Sequence, residues 1–186
     1  MAWNAHAGRM ATGLHEAGQM PNRTGRAGTP FWRRKRLADM TPAEWESLCD
    51  GCGLCCLHKI MDEDSGDIAV TDVACRLLDL DTCRCGDYAN RRRHVPDCVH
   101  LTAATTSRLN WLPSTCAYRL IDQGQDLFPW HPLVSGDPDS VHRAGISARG
   151  AAISEDHVDD LEEHVQAWLD IGTDPFTPHR KRKRSR

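Results

Sequence analysis

Four of the nine cysteines of this chain lie within eight residues, at Cys49, Cys52, Cys55 and Cys56. Thiolates two residues apart can turn their sulfurs onto one metal ion, and the intervening Gly51 and Gly53 allow the backbone to curl around it. If the stretch were helical instead, about 100° of rotation per residue would place the four cysteines within roughly a 120° arc of one face. Because the sulfurs converge in either conformation, we interpret the stretch as the nucleus of a metal site.

Disulfide bonds and inert buried thiols are the alternatives for such a cluster. Disulfides require an oxidising compartment. The N-terminus carries no compact apolar run behind a basic start, so no secretory signal is visible and we expect a cytoplasmic protein. Adjacent cysteines such as Cys55 and Cys56 rarely pair, because the disulfide would strain the peptide between them. The cysteine spacing therefore favours metal binding over a redox or disulfide role.

The cluster is compatible with zinc, with iron or with an iron–sulfur cluster, because all of these accept thiolate shells. The C-x2-C-x2-C spacing is similar to a ferredoxin run. The Cys-Pro that closes such a run is missing, however, since Val99 follows Cys98. No arrangement of histidine and carboxylate that would leave an open metal position is visible, which disfavours a catalytic zinc and, with it, an enzyme.

The charge distribution limits the kinds of partner. Residues 1–36 carry seven Arg/Lys and one acidic residue, residues 180–186 carry six basic residues, and the chain between them has 25 acidic and ten basic residues. An acidic body with basic ends argues against nucleic-acid binding except through a tail. The 40% hydrophobic fraction contains no run approaching the roughly 18 apolar residues of a spanning helix, which argues against a membrane protein.

Local sequence signals predict the elements that hold the cluster. Thr41-Pro42-Ala43-Glu44 has the pattern of a capping box with proline in the first turn, so a helix over 42–48 should lead directly into Cys49. Hydrophobic periodicity and turn residues predict the remaining elements. These are helices at 115–122 and 155–169, a short helix over 87–93, and strands at 68–73 and 146–153.

Two further polar features are typical of structure rather than of ligand sites. The acidic stretch 62–67 resembles a calcium-binding loop, but Val73 stands where the glutamate of the twelfth position is needed, so a solvated hairpin turn is favoured. His131 lies in an apolar, irregular segment and is more typical of a packed ring than of a metal ligand.

These signals together predict a single small α+β domain over residues 30–171, with a cysteine-rich middle stapled by metal. Residues 1–29 are rich in Gly, Ala and Arg without helical or strand periodicity, and residues 172–186 are Pro-rich and then basic. We expect both to be disordered tails. The basic run 180–184 is usually a solvated tail, and an interaction with nucleic acid or an acidic partner is the alternative.

The segment from Trp45 to Cys56 closely resembles the YcgN-type cysteine-cluster proteins of bacteria. These form an uncharacterised family within the wider CxxCxxCC group, which is described as zinc- or iron-chelating. The resemblance extends from about Pro30 to Trp168. Further matching segments are Met61–Asp64, Asp72–Arg76, Cys83–Cys85, Trp111–Pro113, Thr115–Leu120 and Trp130–Leu133.

The resemblance also implies a larger ligand set. The wider group carries C-x2-L, then C-x2-Y-x2-R, then a further cysteine, and Cys75, Cys85 and Cys98 fill these places. Arg92 stands where the wider group often has proline, so the loop before Cys98 is expected to differ. The implied metal ligands are Cys49, Cys52, Cys55, Cys56, Cys75, Cys85, Cys98 and Cys116, with Cys83 as the weakest candidate; Cys83 and Cys116 belong to the narrower family's pattern. Nine cysteines exceed one four-ligand site and permit two, with one spare.

Three functions stay open at this point. The favoured one is a metal-binding protein whose cluster builds the fold and carries or senses metal. The second is a redox enzyme or an iron–sulfur electron carrier, which a brown colour and an absorbance bleached on reduction would indicate. The third is an interaction module whose basic tail binds nucleic acid or an acidic partner.

Overall fold

The computed structural model describes residues 28–168, which form short helices and strands joined by irregular segments. The helices are α1 (Phe31–Arg34), α2 (Pro42–Ser47), α3 (Arg91–His94), α4 (Ala117–Asp122), α5 (Pro132–Ser135) and α6 (Ser140–Arg143). The strands are β1 (Leu57–Met61), β2 (Ile68–Ala74), β3 (Leu78–Asp79), β4 (Arg84–Cys85), β5 (Ile153–Ser154) and β6 (Val165–Trp168). Short 3-10 helices lie at Leu37–Asp39, Leu54–Cys56, Thr106–Arg108, Glu155–His157 and Glu162–His164. The predicted α+β class is confirmed for this part of the chain.

Strand β2 is the centre of the main sheet and confirms the strand predicted over 68–73. β1 pairs with it antiparallel, so the acidic stretch 62–67 is the hairpin turn between them. On its other edge β2 pairs antiparallel with β6 and, over two residues, parallel with β5. β3 and β4 form a separate ladder in which Leu78 is paired with Cys85. Across residues 28–168, no helix is long and apolar enough to cross a bilayer.

The buried apolar residues form two clusters. The helical cluster is built on Leu37, Leu48, Ala117, Tyr118 and Leu127. The sheet cluster is built on Leu57, Ala74, Leu78, Cys83 and Ala148. Leu48 immediately precedes Cys49, and Leu57 immediately follows Cys56. The cysteine stretch 49–56 therefore connects the two clusters.

The capping box predicted at the start of α2 is confirmed. Thr41 Oγ1 accepts a hydrogen bond from the Glu44 backbone N–H at 3.3 Å, and Glu44 Oε2 accepts one from the Thr41 N–H at 2.8 Å. Lys35 Nζ also donates to the Glu44 carboxylate, at 2.7 Å. These contacts satisfy backbone donors at the helix start and fix the direction in which α2 runs towards Cys49.

The helix predicted over 155–169 is wrong. The segment forms two 3-10 helices, Glu155–His157 and Glu162–His164, followed by β6, and its last predicted residue lies outside the described range. The apolar spacing is overridden by tertiary contacts, because β6 satisfies backbone groups along one edge of β2. Asp72 of β2 also receives 2.9 Å contacts from His164 Nδ1 and Gln166 Nε2.

The strand predicted over 146–153 is wrong for most of its length. Strand β5 begins only at Ile153. Before it, Ala148 O accepts hydrogen bonds from the N–H groups of Ala151 and Ala152, both at 3.0 Å, which closes a turn. The turn leaves the Ala148 N–H free of the sheet, and this N–H donates to Cys52 O at 2.8 Å. Residues 146–152 therefore contact the cysteine stretch instead of extending the sheet.

Other boundaries differ by smaller amounts. The helix predicted over 115–122 is confirmed as α4, but it begins at Ala117, with Cys116 at the N-cap. The short helix predicted over 87–93 is correct only at its C-terminal end, where the single turn α3 begins at Arg91 and extends to His94. The predicted tails 1–29 and 172–186 fall outside the described residues, apart from residues 28 and 29. The domain bounds at 30 and 171 and the metal-stapled middle therefore stay predictions.

Candidate metal centre

The end of α2 that leads into Cys49 is held by two side chains from distant parts of the chain. Tyr118 of α4 donates a hydrogen bond to Trp45 O at 3.0 Å, and the two rings lie 4.6 Å apart between centroids. His131 Nε2 contacts Leu48 O at 3.0 Å. Trp45 O also accepts a hydrogen bond from the Leu48 N–H at 3.1 Å, so Tyr118 adds a second donor to a carbonyl at the end of the helix. The backbone that enters the cysteine stretch is therefore fixed in position.

His131 is a packed ring, as predicted, and is only 1% exposed. A carbonyl oxygen can only accept, so Nε2 carries the proton that Leu48 O receives. The Leu133 N–H donates to Nδ1 at 3.1 Å, so Nδ1 is unprotonated. Burial lowers the pKa of His131, which agrees with a neutral ring. Because both nitrogens are engaged in these bonds, His131 supports the cysteine stretch without being available as a ligand.

The cysteine stretch bends at two glycines, as the sequence suggested. Gly51 has φ 78° and Gly53 has φ 74°, which is the left-handed region that glycine adopts without steric penalty. The Arg84 guanidinium lies against Gly51, so a β-carbon there would be 2.9 Å from its Cζ. After Gly53 the chain forms the 3-10 helix Leu54–Cys56. The stretch is thus a bent loop with a short helical end rather than a continuous helix.

One group of thiols interacts through Cys55. We call it the first cysteine set: Cys49, Cys52, Cys55 and Cys116. Cys49 reaches the surface, but the protein atoms around its thiol raise its pKa to about 11, and repulsion from Cys55 adds to this effect. Burial also raises the pKa of Cys52, and that of Cys116 to about 12, with contributions from Asp50 and Cys55 in both cases. The charge of Cys55 therefore acts in the same direction on the pKa of the other three thiols.

Asp50 places a carboxylate inside the first cysteine set. Its side chain is only 5% exposed, and Oδ1 accepts a hydrogen bond from the Cys52 N–H at 3.0 Å. Oδ2 is buried and has no hydrogen-bond partner among residues 28–168. An unpaired buried carboxylate oxygen is strongly unfavourable unless a cation or a donor satisfies it. The sequence reasoning missed Asp50, because aspartate before glycine reads as an ordinary turn residue.

Lys59 supplies a positive charge beside both ends of the 3-10 helix Leu54–Cys56. Its Nζ donates to Leu57 O, to Cys55 O at 3.2 Å and to Leu54 O at 3.4 Å, and it lies 4.6 Å from the centroid of the Trp111 ring. Burial lowers the pKa of Lys59, while the neighbouring thiolates oppose this shift. The ammonium group therefore both satisfies backbone carbonyls and faces the sulfur atoms.

A second group of thiols surrounds the start of β1 and the turn after β2. We call it the second cysteine set: Cys56, Cys75, Cys85 and Cys98. A hydrogen bond with Cys55 and burial raise the pKa of Cys56, and the charges of Cys75 and Cys98 act in the same direction. Burial raises the pKa of Cys75, with further contributions from Glu155, Cys98 and Cys85. The charges of these thiols, which come from separate segments of the chain, therefore act on one another.

Tyr88 and Arg91, which the resemblance singled out with Cys85, pack on each other. The Arg91 guanidinium carbon lies 3.9 Å from the Tyr88 ring centroid, a cation–π arrangement. Tyr88 Oη donates to Glu46 Oε2 on α2 at 3.4 Å. The pair thus connects the loop after Cys85 to the helix before Cys49, which gives the motif a structural role.

Cys83 belongs to neither set. It is 4% exposed, packs in the sheet cluster and has φ 54°. Burial raises the pKa of Cys83, and the charges acting on its thiol come chiefly from Arg149 and Asp79. This position in the apolar core agrees with the sequence analysis, in which Cys83 was the weakest candidate ligand.

The donor atoms are near one another without already forming a coordination shell. All nine thiols are free. In the part of the chain that the structure describes, no three Cys, His, Asp or Glu side chains converge closely enough to hold a metal ion. Binding would therefore require thiol side chains to rotate towards a common point. The unpaired Asp50 Oδ2 and the thiol-rich surroundings are nevertheless the chemistry that a cation needs.

The bent loop 49–56, with four of the nine free cysteines, makes this a cysteine-rich domain. Residues 48–117 match the family model CxxCxxCC, whose description reads "Putative zinc- or iron-chelating domain". The chain is 60% identical to a UPF0260 protein of Rhizobium leguminosarum bv. trifolii over 146 residues, 77% of this chain and 91% of the relative. It is 62% identical to one of Rhizorhabdus wittichii over 136 residues, covering 73% and 93%.

A third relative, a UPF0260 protein of Gluconacetobacter diazotrophicus, is 58% identical over 153 residues, which is 82% of this chain and 96% of the relative. The chain therefore belongs to the UPF0260 family, and the resemblance described from its motifs is confirmed. No solved structure matches it significantly.

Proposed function

We propose that this chain is a metal-binding protein that chelates zinc or iron through its cysteine cluster. The observation that carries the proposal is the bent loop 49–56, which holds four free cysteines beside the buried, unpaired Asp50 Oδ2. A fifth cysteine, Cys75, is tied to the same loop by the hydrogen bond from its N–H to Cys56 O at 3.0 Å. Burying so many thiols together brings no stability by itself, since apolar residues would pack as well. A bound cation explains why they are gathered.

The surroundings of the sulfurs fit this proposal. Burial raises the pKa of Cys49, Cys52 and Cys116, so without a cation these thiols stay protonated. A bound metal would displace their protons and stabilise the thiolates. Four thiolates around a divalent ion leave a net charge of about −2, and Lys59 and Arg84 lie where they can offset it.

The test is anaerobic purification of the full chain, followed by metal and acid-labile sulfide analysis and a visible spectrum. Zinc predicts a colourless protein with stoichiometric zinc and no sulfide. An iron–sulfur cluster predicts a brown protein with sulfide and an absorbance that bleaches on reduction. Metal-free, folded protein obtained from metal-replete cells would overturn the proposal.

We further propose that the metal builds the fold, because the loop 49–56 joins the helical cluster to the sheet cluster. Structural zinc contributes apparent binding free energies of roughly 10–16 kcal/mol in finger peptides, comparable to the stability of a whole domain. Cys52→Ser should therefore release metal and reduce the protection of amide hydrogens across residues 49–116. Cys83→Ser is the matched control and should retain metal. Unchanged protection in the metal-stripped protein would show that the fold is self-sufficient.

A further inference from the structure

We propose that Cys55 and Cys56 form a dithiol site for organic arsenicals, in which a trivalent arsenic atom carries one organic group. Both thiols are free, and their sulfur atoms are 4.0 Å apart. The organic group occupies one of the three valences of such an arsenic atom, so two sulfurs complete its bonding. The inference goes beyond chelation of zinc or iron, because closed thiolate sites for those metals take four ligands.

The backbone that carries the two cysteines is held in place by other parts of the chain. The pair lies at the end of a 3-10 helix that follows Gly53 in its left-handed conformation. The Cys75 N–H donates to Cys56 O at 3.0 Å, and Lys59 Nζ donates to Cys55 O at 3.2 Å. Because the carbonyl groups of both cysteines are bonded, the two side chains start from a fixed backbone. A dithiol that is preorganised in this way loses little conformational entropy when one atom bonds to both sulfurs.

The surroundings of the pair can accept a small molecule with an apolar group. Cys55 and Cys56 are half-buried, so their thiols can be reached from solvent. Lys59 Nζ, which bonds to Cys55 O, also lies 4.6 Å from the centroid of the half-buried Trp111 ring. This ring offers apolar surface near the pair for the organic group of an arsenical.

The spacing of the two sulfurs favours a bridging atom over a direct disulfide. A disulfide requires sulfur atoms about 2.0 Å apart, and forming one between adjacent residues strains the peptide that joins them. The sulfurs of Cys55 and Cys56 are 4.0 Å apart, so closing that bond would halve their separation. An atom inserted between them bonds to each sulfur in turn and needs a smaller movement of the side chains.

The same geometry separates organic arsenicals from inorganic arsenite, which bonds to three sulfurs when it is fully bound. Within residues 28–168, no three Cys, His, Asp or Glu side chains converge on one point. A third sulfur is therefore not in place beside Cys55 and Cys56. The pair should accept an arsenic atom that needs two sulfurs in preference to one that needs three.

The reaction with an arsenic oxide is a substitution without a change of oxidation state. Two sulfur–arsenic bonds form, and the arsenic–oxygen double bond is lost. The oxygen leaves as water together with the two thiol protons. Arsenic stays trivalent, so the step needs neither an oxidant nor a reductant.

The test adds one equivalent of phenylarsine oxide to the full chain purified anaerobically, with and without a chelator of zinc and iron. Intact mass spectrometry should show one phenylarsenic group per chain, which survives a wash with a monothiol and is released by a dithiol. Alkylation of the remaining thiols and peptide mapping should then show Cys55 and Cys56 as the protected pair. Cys55→Ser and Cys56→Ser should each lose most of the retained adduct, while Cys83→Ser should keep it. Sodium arsenite at the same concentration should leave no retained adduct.

The outcomes separate this proposal from the proposed function. No retained adduct in either preparation overturns the dithiol site, and so does an adduct spread over several cysteine pairs, as in the same chain unfolded in urea. An adduct on Cys55 and Cys56 that forms only with the chelator, as zinc or iron is released, supports both proposals. The same adduct on a folded chain that holds no zinc or iron after purification supports the dithiol site and overturns metal chelation.

Discussion

Gly53 offers a test of how tightly the cysteine loop is built onto the sheet cluster. A β-carbon at this position would lie 3.3 Å from Cys83 Cβ, 3.4 Å from Leu78 Cδ2 and 3.5 Å from Ala148 Cβ. All three neighbours are nearly buried, at 4%, 7% and 2% exposure, and two of the atoms are fixed directly to the backbone. Gly53→Ala should therefore destabilise the protein through both its φ angle and these contacts.

Gly66→Ala is the matched control. Gly66 has φ 72°, almost the same as Gly53, but within residues 28–168 no heavy atom lies within 4 Å of a β-carbon built there. The left-handed conformation costs alanine about 1–2 kcal/mol in either variant, and the loss of unfolded-chain entropy is also shared. The difference between the two variants isolates the close contacts, and overpacking of a core typically costs about 1–3 kcal/mol.

The assay is urea unfolding of both variants under reducing conditions at one fixed metal concentration, because bound metal changes the apparent stability. Metal content is measured alongside, since Gly53 lies between two candidate ligands. We expect the free energy of unfolding of Gly53→Ala to be lower than that of Gly66→Ala by about 1–3 kcal/mol. Equal free energies of unfolding would refute the close approach of the loop to Cys83.

Three other changes probe the supports of the site. His131→Phe leaves Leu48 O buried without its donor and should lower the free energy of unfolding by about 1–3 kcal/mol in denaturant titrations, whereas an unchanged value would mean that water replaces the ring. Thr41→Ala removes the capping box of α2 and should lower it by about 1 kcal/mol, with Thr41→Ser restoring most of the loss. Lys59→Met removes the cation beside the sulfurs and should weaken metal affinity roughly 10-fold in a chelator competition. Lys35→Met is the control, because Lys35 precedes α2 and bonds to Glu44 at the start of that helix, and it should leave the metal affinity unaltered.

Elements with strong local signals were predictable. The capping residues Thr41 and Glu44 start α2 by hydrogen bonds within four residues, so no distant contact is needed to explain them. The turn 62–67 and strand β2 follow in the same way from acidic turn residues and a β-branched run. The bends at Gly51 and Gly53 were also visible, because only glycine adopts positive φ freely.

Elements that depend on distant partners were not predictable. Residues 155–168 carry helical apolar spacing, but their contacts with distant residues favour another conformation. The Glu155 carboxylate lies 2.6 Å from His58 Nε2 and accepts a hydrogen bond from the Arg76 N–H at 2.8 Å, and β6 pairs with the edge of β2. Contacts of this kind outweigh the few tenths of a kcal/mol per residue that separate helix propensities. The apolar spacing of a segment contains no information about a distant strand edge with which that segment can pair.

The sequence by itself determined the chemistry of this protein: the sulfur donors, their spacing in loop 49–56, the glycines that let the loop bend, and the family to which the chain belongs. Those properties are local, so they can be read from neighbouring residues. Only the tertiary structure decided which other cysteines approach the loop, because Cys116 packs against the helical cluster that contains Leu48, and Cys75 bonds to Cys56 O beside the β1–β2 pairing. It also decided that Asp50 is buried with an unpaired oxygen and that Cys83 is a core residue, since burial depends on what the rest of the chain places around a side chain.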